Sequence, residues 1–372
     1  MDPLSAAIIA ACGASVLGLC AGSFLNVACH RLPRGLSLVH PPSRCGACGT
    51  RLAWHDNLPL LGWMRLRGRC RHCGTAFSAR YVLMELLCGL LAGGTVMAVM
   101  LLPHLRAVIL PGVAGEAIAA GALLLLVFAA VVATVIDLDH QIIPDELTLP
   151  LMALGPWLPL ACMAGLFVGA QAGGDPAWLA TLPAAPPGWL AATAPWLAGA
   201  VLAVAAMLPL ATAAHARLTG AEAWQPADRR AFTLASLWSL GAILLPALAA
   251  AWLLARADAD TAKIGLLLAH GVLGYAAGWL LPQLIGLLGV LILRRNAMGF
   301  GDAKLFAPLG ALLGPDGVVW AFLIATCAGC LLGIPGWLRG GSGVMPFGPS
   351  LVIGWAVALV AAPWLPLLPW QR

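Results

Sequence analysis

The run Ala122-Leu123-Leu124-Leu125-Leu126-Val127-Phe128-Ala129-Ala130-Val131-Val132-Ala133-Thr134-Val135-Ile136 leads directly into Asp137-Leu138-Asp139-His140-Gln141-Ile142-Ile143-Pro144-Asp145. The first stretch ends an apolar segment, 115–136, of the roughly 20 residues that a helix needs to cross a bilayer. The second holds three carboxylates in nine residues, in a chain whose charged residues make up only 9%. A spanning helix that ends on a cluster of acids sets the expectation for the whole molecule: helices in a membrane, with chemistry at one edge of it.

Outward from that stretch the same pattern recurs. Apolar segments are expected near 5–28, 81–102, 147–170, 188–213, 232–254 and 265–293, then a short one at 304–314, then 317–337 and 347–370. With 115–136 this makes ten. The chain is 61% hydrophobic, with a mean hydropathy of +0.93 over 372 residues, whereas soluble domains are about 25% charged. The alternating polarity of membrane strands is absent. The fold class is therefore an all-α polytopic integral membrane protein of about ten transmembrane helices. Ile8 to Val27 has no cation before it, so it reads as a retained first helix rather than a signal peptide.

One long polar segment interrupts the pattern, at 29–80, and it carries nine Arg. If it lies in the cytoplasm, the inward connections hold sixteen of the twenty Lys and Arg, as the positive-inside rule requires. The net charge of +5 is then a topology signal rather than a sign of nucleic-acid binding. The 137–146 connection has no cation, so helix parity alone assigns it to the inside. The same parity puts Asp302, in Gly299-Phe300-Gly301-Asp302, at the same membrane face.

Either Asp alone reads as an interfacial charge, and an Asp at a helix N-terminus is favoured by the dipole in any case. As a pair at one depth they read as an aspartyl dyad. Two carboxylates sharing a site do not both ionise easily, so one keeps a proton while the other takes one from water. Asp137 is assigned the catalytic role, with Asp139 as runner-up, because a residue two positions on points elsewhere on a helix. Asp145 follows Pro144 and reads as a first-turn acid of the next helix. His140 reads as a hydrogen-bonding neighbour.

Four of the eleven cysteines lie in the polar segment, as Cys45-x-x-Cys48 and Cys70-x-x-Cys73. That spacing is the pattern of a closed structural zinc site, and a metal would staple a loop too short to build its own core. Disulfides fit a reducing compartment poorly. Cys327-x-x-Cys330 repeats the spacing inside an apolar segment and reads as buried packing. No internal repeat survives a gap-free comparison along the chain.

With these residues in hand, the chain resembles the bacterial type IV prepilin leader peptidases, the A24 family of membrane aspartyl proteases. Gly22-Ser23-Phe24-Leu25-Asn26-Val27 and Arg31-Leu32-Pro33 resemble its N-terminal signature. His55-Asp56-Asn57-Leu58-Pro59-Leu60-Leu61-Gly62-Trp63 and Leu66-Arg67-Gly68-Arg69-Cys70 resemble its zinc-loop consensus, followed by Arg80-Tyr81 and Glu85. Asp137–Asp145 and Met298-Gly299-Phe300-Gly301-Asp302-Ala303-Lys304-Leu305 resemble its two catalytic blocks, and Pro346-Phe347-Gly348-Pro349 a C-terminal segment. Val82 and Gly46 stand where the family often has Pro, and the 165 positions from Asp137 to Asp302 exceed the usual spacing.

The resemblance implies an inner-membrane enzyme. It would cut the leader from prepilins or pseudopilins at the cytoplasmic face and then methylate the new N-terminus from S-adenosylmethionine. No nucleotide-binding fingerprint is present in the sequence, so methyl transfer and its cofactor follow from the resemblance alone. The expected organisation is a first helix (1–28), a zinc-binding loop domain (29–80), helices with the first catalytic block (81–159), an inserted transmembrane region (160–265) and helices with the second block (266–372). Expected partners are prepilin or pseudopilin substrates and membrane lipid. A peptidase without methyl transfer is one alternative. The other is a cation or proton transporter, which would place its acids near the bilayer centre.

Overall fold

The computed structural model describes residues 2–102, 113–159, 241, 243–250, 252–253, 259–294, 298–338 and 345–361. Among these residues the regular structure is helical, and the only β pairing is two isolated bridges, Arg44 with Arg51 and Arg69 with Ala76. Five described helical segments are long and apolar enough to cross a membrane: Leu4–Arg34, Arg80–Leu101, Ala117–His140, Leu268–Ile292 and Phe300–Ile334. The expected span at 188–213, the part of 147–170 beyond 159 and about half of 232–254 lie outside the described residues, as does most of the inserted region at 160–265. The chain divides into two compact units, Met1–Arg106 with Glu116–Ile136, and Ala107–Gly115 with Asp137–Arg372.

In the first unit, α1 (Pro3–Arg31) starts at Asp2, whose carboxylate accepts the Ser5 N–H, with Pro3 in the first turn. Proline fits there because that position has no helical hydrogen bond to lose. A three-residue 3-10 turn, Leu32–Arg34, follows. After the polar segment with its short α2 (Leu61–Leu66) comes α3 (Arg80–Leu101). Gly18 and Gly22 of α1 lie directly on the Cys88 and Glu85 backbone of α3, the close approach that small residues permit between membrane helices. α4 (Val113–His140) contributes Val131, which packs with Met84 and Cys88.

The second unit contains α5 (Asp145–Leu154), α6 (Ala259–Leu288), the helical stretch Phe300–Leu338, and α8 (Gly348–Ala361). The stretch Phe300–Leu338, labelled α7, is not one rod. Gly314 (φ 71°, ψ 175°) breaks it, and the two arms fold back on each other. A side chain at Gly310 would meet Val318 at 2.7 Å, and the Phe306 ring lies 6.3 Å from that of Phe322. Residues 16 positions apart on a straight helix would be about 24 Å apart. The sequence expectation of two segments, 304–314 and 317–337, therefore agrees with the observed hairpin, and only glycine adopts that φ without strain.

α6 runs antiparallel to the first arm, with Gly274 against Gly310 and Gly278 against Phe306. α8 runs antiparallel to the second arm, with Gly354 against Ala321 and Ala325, and it reaches the first arm through a hydrogen bond from Trp355 Nε1 to Leu309 O at 3.1 Å. Tyr275, Trp279 and Met152 fill the core beside Ala303, Ala307 and Ala311.

Candidate active site and four-cysteine cluster

The helix expected to stop at Ile136 runs on for one more turn. α4 ends at His140, and Gln141 (φ 54°) turns the chain while its N–H still donates to the Asp137 carbonyl at 2.9 Å. That extra turn sorts the acids by face. Asp137 is 6% exposed, whereas Leu138, Asp139 and His140 are exposed. The inward acid accepts the Gly348 N–H on Oδ2 at 3.0 Å. Gly348 opens α8, so the Pro-Phe-Gly-Pro segment supplies a backbone donor to the first acidic block. A Cβ on Gly348 would stand 2.7 Å from that same oxygen, so the site has no room for one.

Asp302 lies in the first turn of α7, 8% exposed, and its Oδ2 accepts the Gly299 N–H at 3.1 Å. This is the reciprocal half of a capping box, in which the third helical side chain reaches back to the cap residue's N–H. The helix-capping reading of Asp302 is thus correct as far as it goes. The same carboxylate also interacts electrostatically with Asp137. Among the described residues neither carboxylate makes another hydrogen bond.

Two further contacts join the same two blocks. Gly301 lies against Ile143, whose Cβ would be 3.2 Å from a side chain there. Lys304, 5% exposed, forms an ion pair with Asp145 and stands 4.7 Å over the Phe300 ring. Asp145 is a first-turn acid, as the sequence suggests, but it is also the partner of this buried lysine. The sequence reading takes Lys304 only as a topology cation, and the structure uses it as a tie between the blocks. Phe300 is fixed in turn by Trp279, edge to face at 5.4 Å.

In the first unit the four cysteines come together, with their sulfurs all within 4.8 Å of one another. Cys45 Sγ is 3.7 Å from Cys73 Sγ, and Cys48 Sγ is 4.0 Å from Cys70 Sγ. The two pairs are copies of one turn. Cys45-x-x-Cys48-Gly49-Thr50 closes with Cys45 N–H to Thr50 O at 2.9 Å, and Cys70-x-x-Cys73-Gly74-Thr75 with Cys70 N–H to Thr75 O at 2.8 Å. This six-residue repeat, Cys-x-x-Cys-Gly-Thr, is readable in the sequence but too short to register in a chain-wide comparison. Thr50 and Thr75 hydroxyls lie 3.3 Å from Cys48 and Cys73. Hydrogen bonding with Thr75 pushes the Cys73 thiol down to about 6, toward the thiolate that binds metal. The four Cys form a group that could hold a metal ion, and among the described residues it is the one such group of His, Cys, Asp and Glu. His55 instead lies 3.6 Å from Asp56. Cys327 and Cys330, expected to be buried, are exposed on the second arm of α7, whose outer side is apolar.

Other motif residues of this unit hold its loops in place. Asn26 Nδ2 donates to Tyr81 O at 3.1 Å. Arg31 donates to Ser37 O and Pro41 O at 2.8 and 2.6 Å. The buried Glu85 accepts the N–H of Leu60, a residue at φ 59°, at 2.9 Å.

Comparison with known proteins gives two matches to family models. Residues 16–99 match the bacterial peptidase A24 N-terminal domain, and residues 241–334 match the type IV leader peptidase family. The cysteine cluster lies in the first segment, Asp302 in the second, and Asp137 between them. Three similar curated proteins carry the name prepilin leader peptidase/N-methyltransferase. The one from Myxococcus xanthus is 47% identical over 140 residues, covering 38% of this chain and 37% of that protein. The one from Stutzerimonas stutzeri is 38% identical over 38% of this chain and 52% of that protein. The one from Klebsiella pneumoniae is 42% identical over 42% of this chain and 66% of that protein. The chain thus spans about a third to two thirds of the length of the curated relatives it matches. No solved structure matches it. Through its residues 16–99 and 241–334, the chain is similar to the A24 family of type IV leader peptidases.

Proposed function

We propose that this chain is a membrane aspartyl endopeptidase that removes the leader from type IV prepilins or pseudopilins and methylates the amine it exposes. The observation that carries the peptidase reading is the pair of buried carboxylates, Asp137 and Asp302, each holding one glycine N–H and interacting with the other. Each backbone donor fixes one oxygen and therefore a rotamer, which is the positioning that proton transfer needs. With one proton shared across the pair, the ionised carboxylate takes a proton from water as its oxygen attacks the scissile carbonyl. The protonated one donates to the carbonyl oxygen. Collapse of the tetrahedral intermediate breaks the C–N bond and returns a proton to the leaving amine.

The excess of Lys and Arg in 29–80 favours a cytoplasmic position for that loop, in the inner membrane, and by helix parity for the dyad too. The four thiolates suit a structural Zn²⁺. A tetrahedron with Zn–S of about 2.3 Å has edges of about 3.8 Å, close to the 3.7 and 4.0 Å sulfur separations seen here. Methyl transfer is supported by the second half of the relatives' printed name.

The test is in vitro cleavage of a prepilin by wild type, Asp137→Asn and Asp302→Asn, with the product weighed. Loss of cleavage in both folded variants is expected, and cleavage retained in either would remove that residue from the dyad. A wild-type product without the mass of one added methyl group would leave a peptidase that does not methylate.

A further inference from the structure

Two polar atoms on α4, both close to the dyad, have no partner. Asp137 Oδ2 holds the Gly348 N–H, while its other oxygen makes no hydrogen bond among the described residues. Thr134, three residues earlier, is half-buried as a side chain, yet its Oγ1 is buried and likewise lacks a hydrogen-bond partner among them. The oxygen is therefore the part of that side chain turned inward. A helical threonine commonly spends its hydroxyl on the carbonyl one turn back, here that of Ala130. A buried hydroxyl left unbonded is destabilising, and such a group in a native fold calls for a partner that the reaction supplies.

The helix sets the two atoms side by side. Residues three apart share a face, with Cβ atoms about 5–6 Å apart. Each Cα–Cβ bond also tilts toward the helix N-terminus, so the Asp137 carboxylate leans back over the turn that carries Thr134. The buried side of this helix runs through Leu126, Ala130, Ala133 and Asp137. The residues of that side nearest Thr134 are thus alanines, and no long side chain of α4 covers its hydroxyl. The two oxygens are not bonded to each other. A single water between them gives each a partner, and the cleavage described above consumes one water.

We propose that Thr134 and Asp137 together hold the hydrolytic water, which makes Asp137 the base and Asp302 the acid of the pair. The inference rests on the peptidase reading above. The water gives one hydrogen to Asp137 and the other to Thr134 Oγ1, while the threonine's own hydrogen turns to the Ala130 carbonyl. The lone pair left on the water oxygen then faces the scissile carbonyl. As the new carbon–oxygen bond forms, the O–H bond toward Asp137 breaks and its proton passes to that carboxylate. Asp302 protonates the carbonyl oxygen. The O–H bond toward Thr134 stays intact, so the threonine aims the nucleophile and takes no proton. When the intermediate collapses, one hydroxyl returns its proton to Asp302, the C–N bond breaks, and the proton on Asp137 leaves with the amine.

The test is steady-state cleavage of a prepilin by the full chain in detergent, comparing wild type, Thr134→Val, Thr134→Ser and Asp137→Asn. Valine keeps the shape without the hydroxyl, and serine keeps the hydroxyl without the methyl. Thr134→Val is expected to lower kcat by about 10- to 100-fold with KM unchanged. Its unfolding midpoint should equal or exceed that of wild type, because the unbonded hydroxyl is gone. Thr134→Ser should stay within about threefold of wild type in kcat. A packing role gives the reverse order, since serine loses the methyl and valine does not. That order, equal losses in the two variants, or wild-type turnover in Thr134→Val overturns the inference, and the dyad stands if Asp137→Asn is inactive. If folded Asp137→Asn still cleaves, the dyad reading itself falls and takes the inference with it.

Discussion

Gly348 donates its backbone N–H to Asp137 Oδ2 at 3.0 Å across 211 positions of sequence, and its missing side chain is what makes the approach possible. A methyl group there would stand 2.7 Å from the carboxylate oxygen. The oxygen belongs to a side chain held against a helix end, so it is the carboxylate that must move. Gly348→Ala is expected to leave the helices folded and to lower kcat by about 10- to 100-fold, the loss typical of a reacting group displaced by about 1 Å. Prepilin cleavage rates and helicity by circular dichroism check this. Wild-type turnover in the variant would mean that Asp137 does not need this position.

Lys304 and Asp145 make a second long-range tie, 159 positions apart. Removing one partner of a fully buried ion pair costs about 3–5 kcal/mol. Here Lys304 has 7% of its side chain exposed but Asp145 has 30%, so water can solvate the acid left behind. Lys304→Met should therefore cost less, about 1–3 kcal/mol. Its long apolar stem keeps the contact with Phe300. Asp145→Asn should cost more than its exposure suggests, because it strands the buried ammonium. Unfolding in detergent tests the order. Equal and negligible losses would show that the pair is incidental.

What could be read in the sequence divides along this same line between local and distant. Length and apolarity placed the described helices near 5–28, 81–102 and 115–136, and the break at Gly314 was visible as a gap between two apolar runs. The proposed pairing of Asp137 with Asp302 comes from the sequence as well, because helix parity sets depth and acids are rare in an apolar chain. Nothing local could reveal that Gly348 donates to Asp137 or that Lys304 meets Asp145, since helical periodicity carries no information on which helix lies beside which. The extra turn from Asp137 to His140 is not legible in the sequence for a different reason. Charges end an apolar run but do not end a helix, and it takes the positive φ of Gln141 to do that. The Cys-x-x-Cys-Gly-Thr repeat was in plain view, and only its brevity hid it.

Asp56 offers a pH test in the polar segment. Its hydrogen bonds with Arg71, reinforced by the guanidinium charge and opposed by burial, hold its carboxyl below the ordinary range. The Arg71 Nε bond is 2.9 Å. A carboxyl that is more acidic folded than unfolded makes stability rise with pH. Its contribution is fully present above about pH 4, the unfolded value, and is lost as pH falls through the lower folded value. Asp56→Asn should thus lower the unfolding midpoint by a similar amount from pH 8 to pH 5. The gap to wild type should close only in more acid solution. Arg71 is 40% exposed, which screens the pair, so the shift should be small and should shrink further in high salt. A gap that instead opened as the pH fell would contradict the assignment.

The matched geometry of the two cysteine turns leads to a symmetry prediction. Cys48 and Cys73 hold equivalent places, each followed by the same Gly-Thr pair and each with its threonine hydroxyl 3.3 Å from sulfur. If one metal ion sits among the four sulfurs, Cys48→Ser and Cys73→Ser should lose it to a similar extent, since each removes one thiolate of four from a closed site. Wild type should carry about one zinc per chain and release it as pH falls, because protons compete for the thiolates. Thr75→Val should shift that release to higher pH, since it removes the hydrogen bond that most favours the Cys73 thiolate. Elemental analysis after dialysis at stepped pH measures all three. Full metal retention in Cys73→Ser, with loss in Cys48→Ser, would show that the turns are alike in shape but not in use.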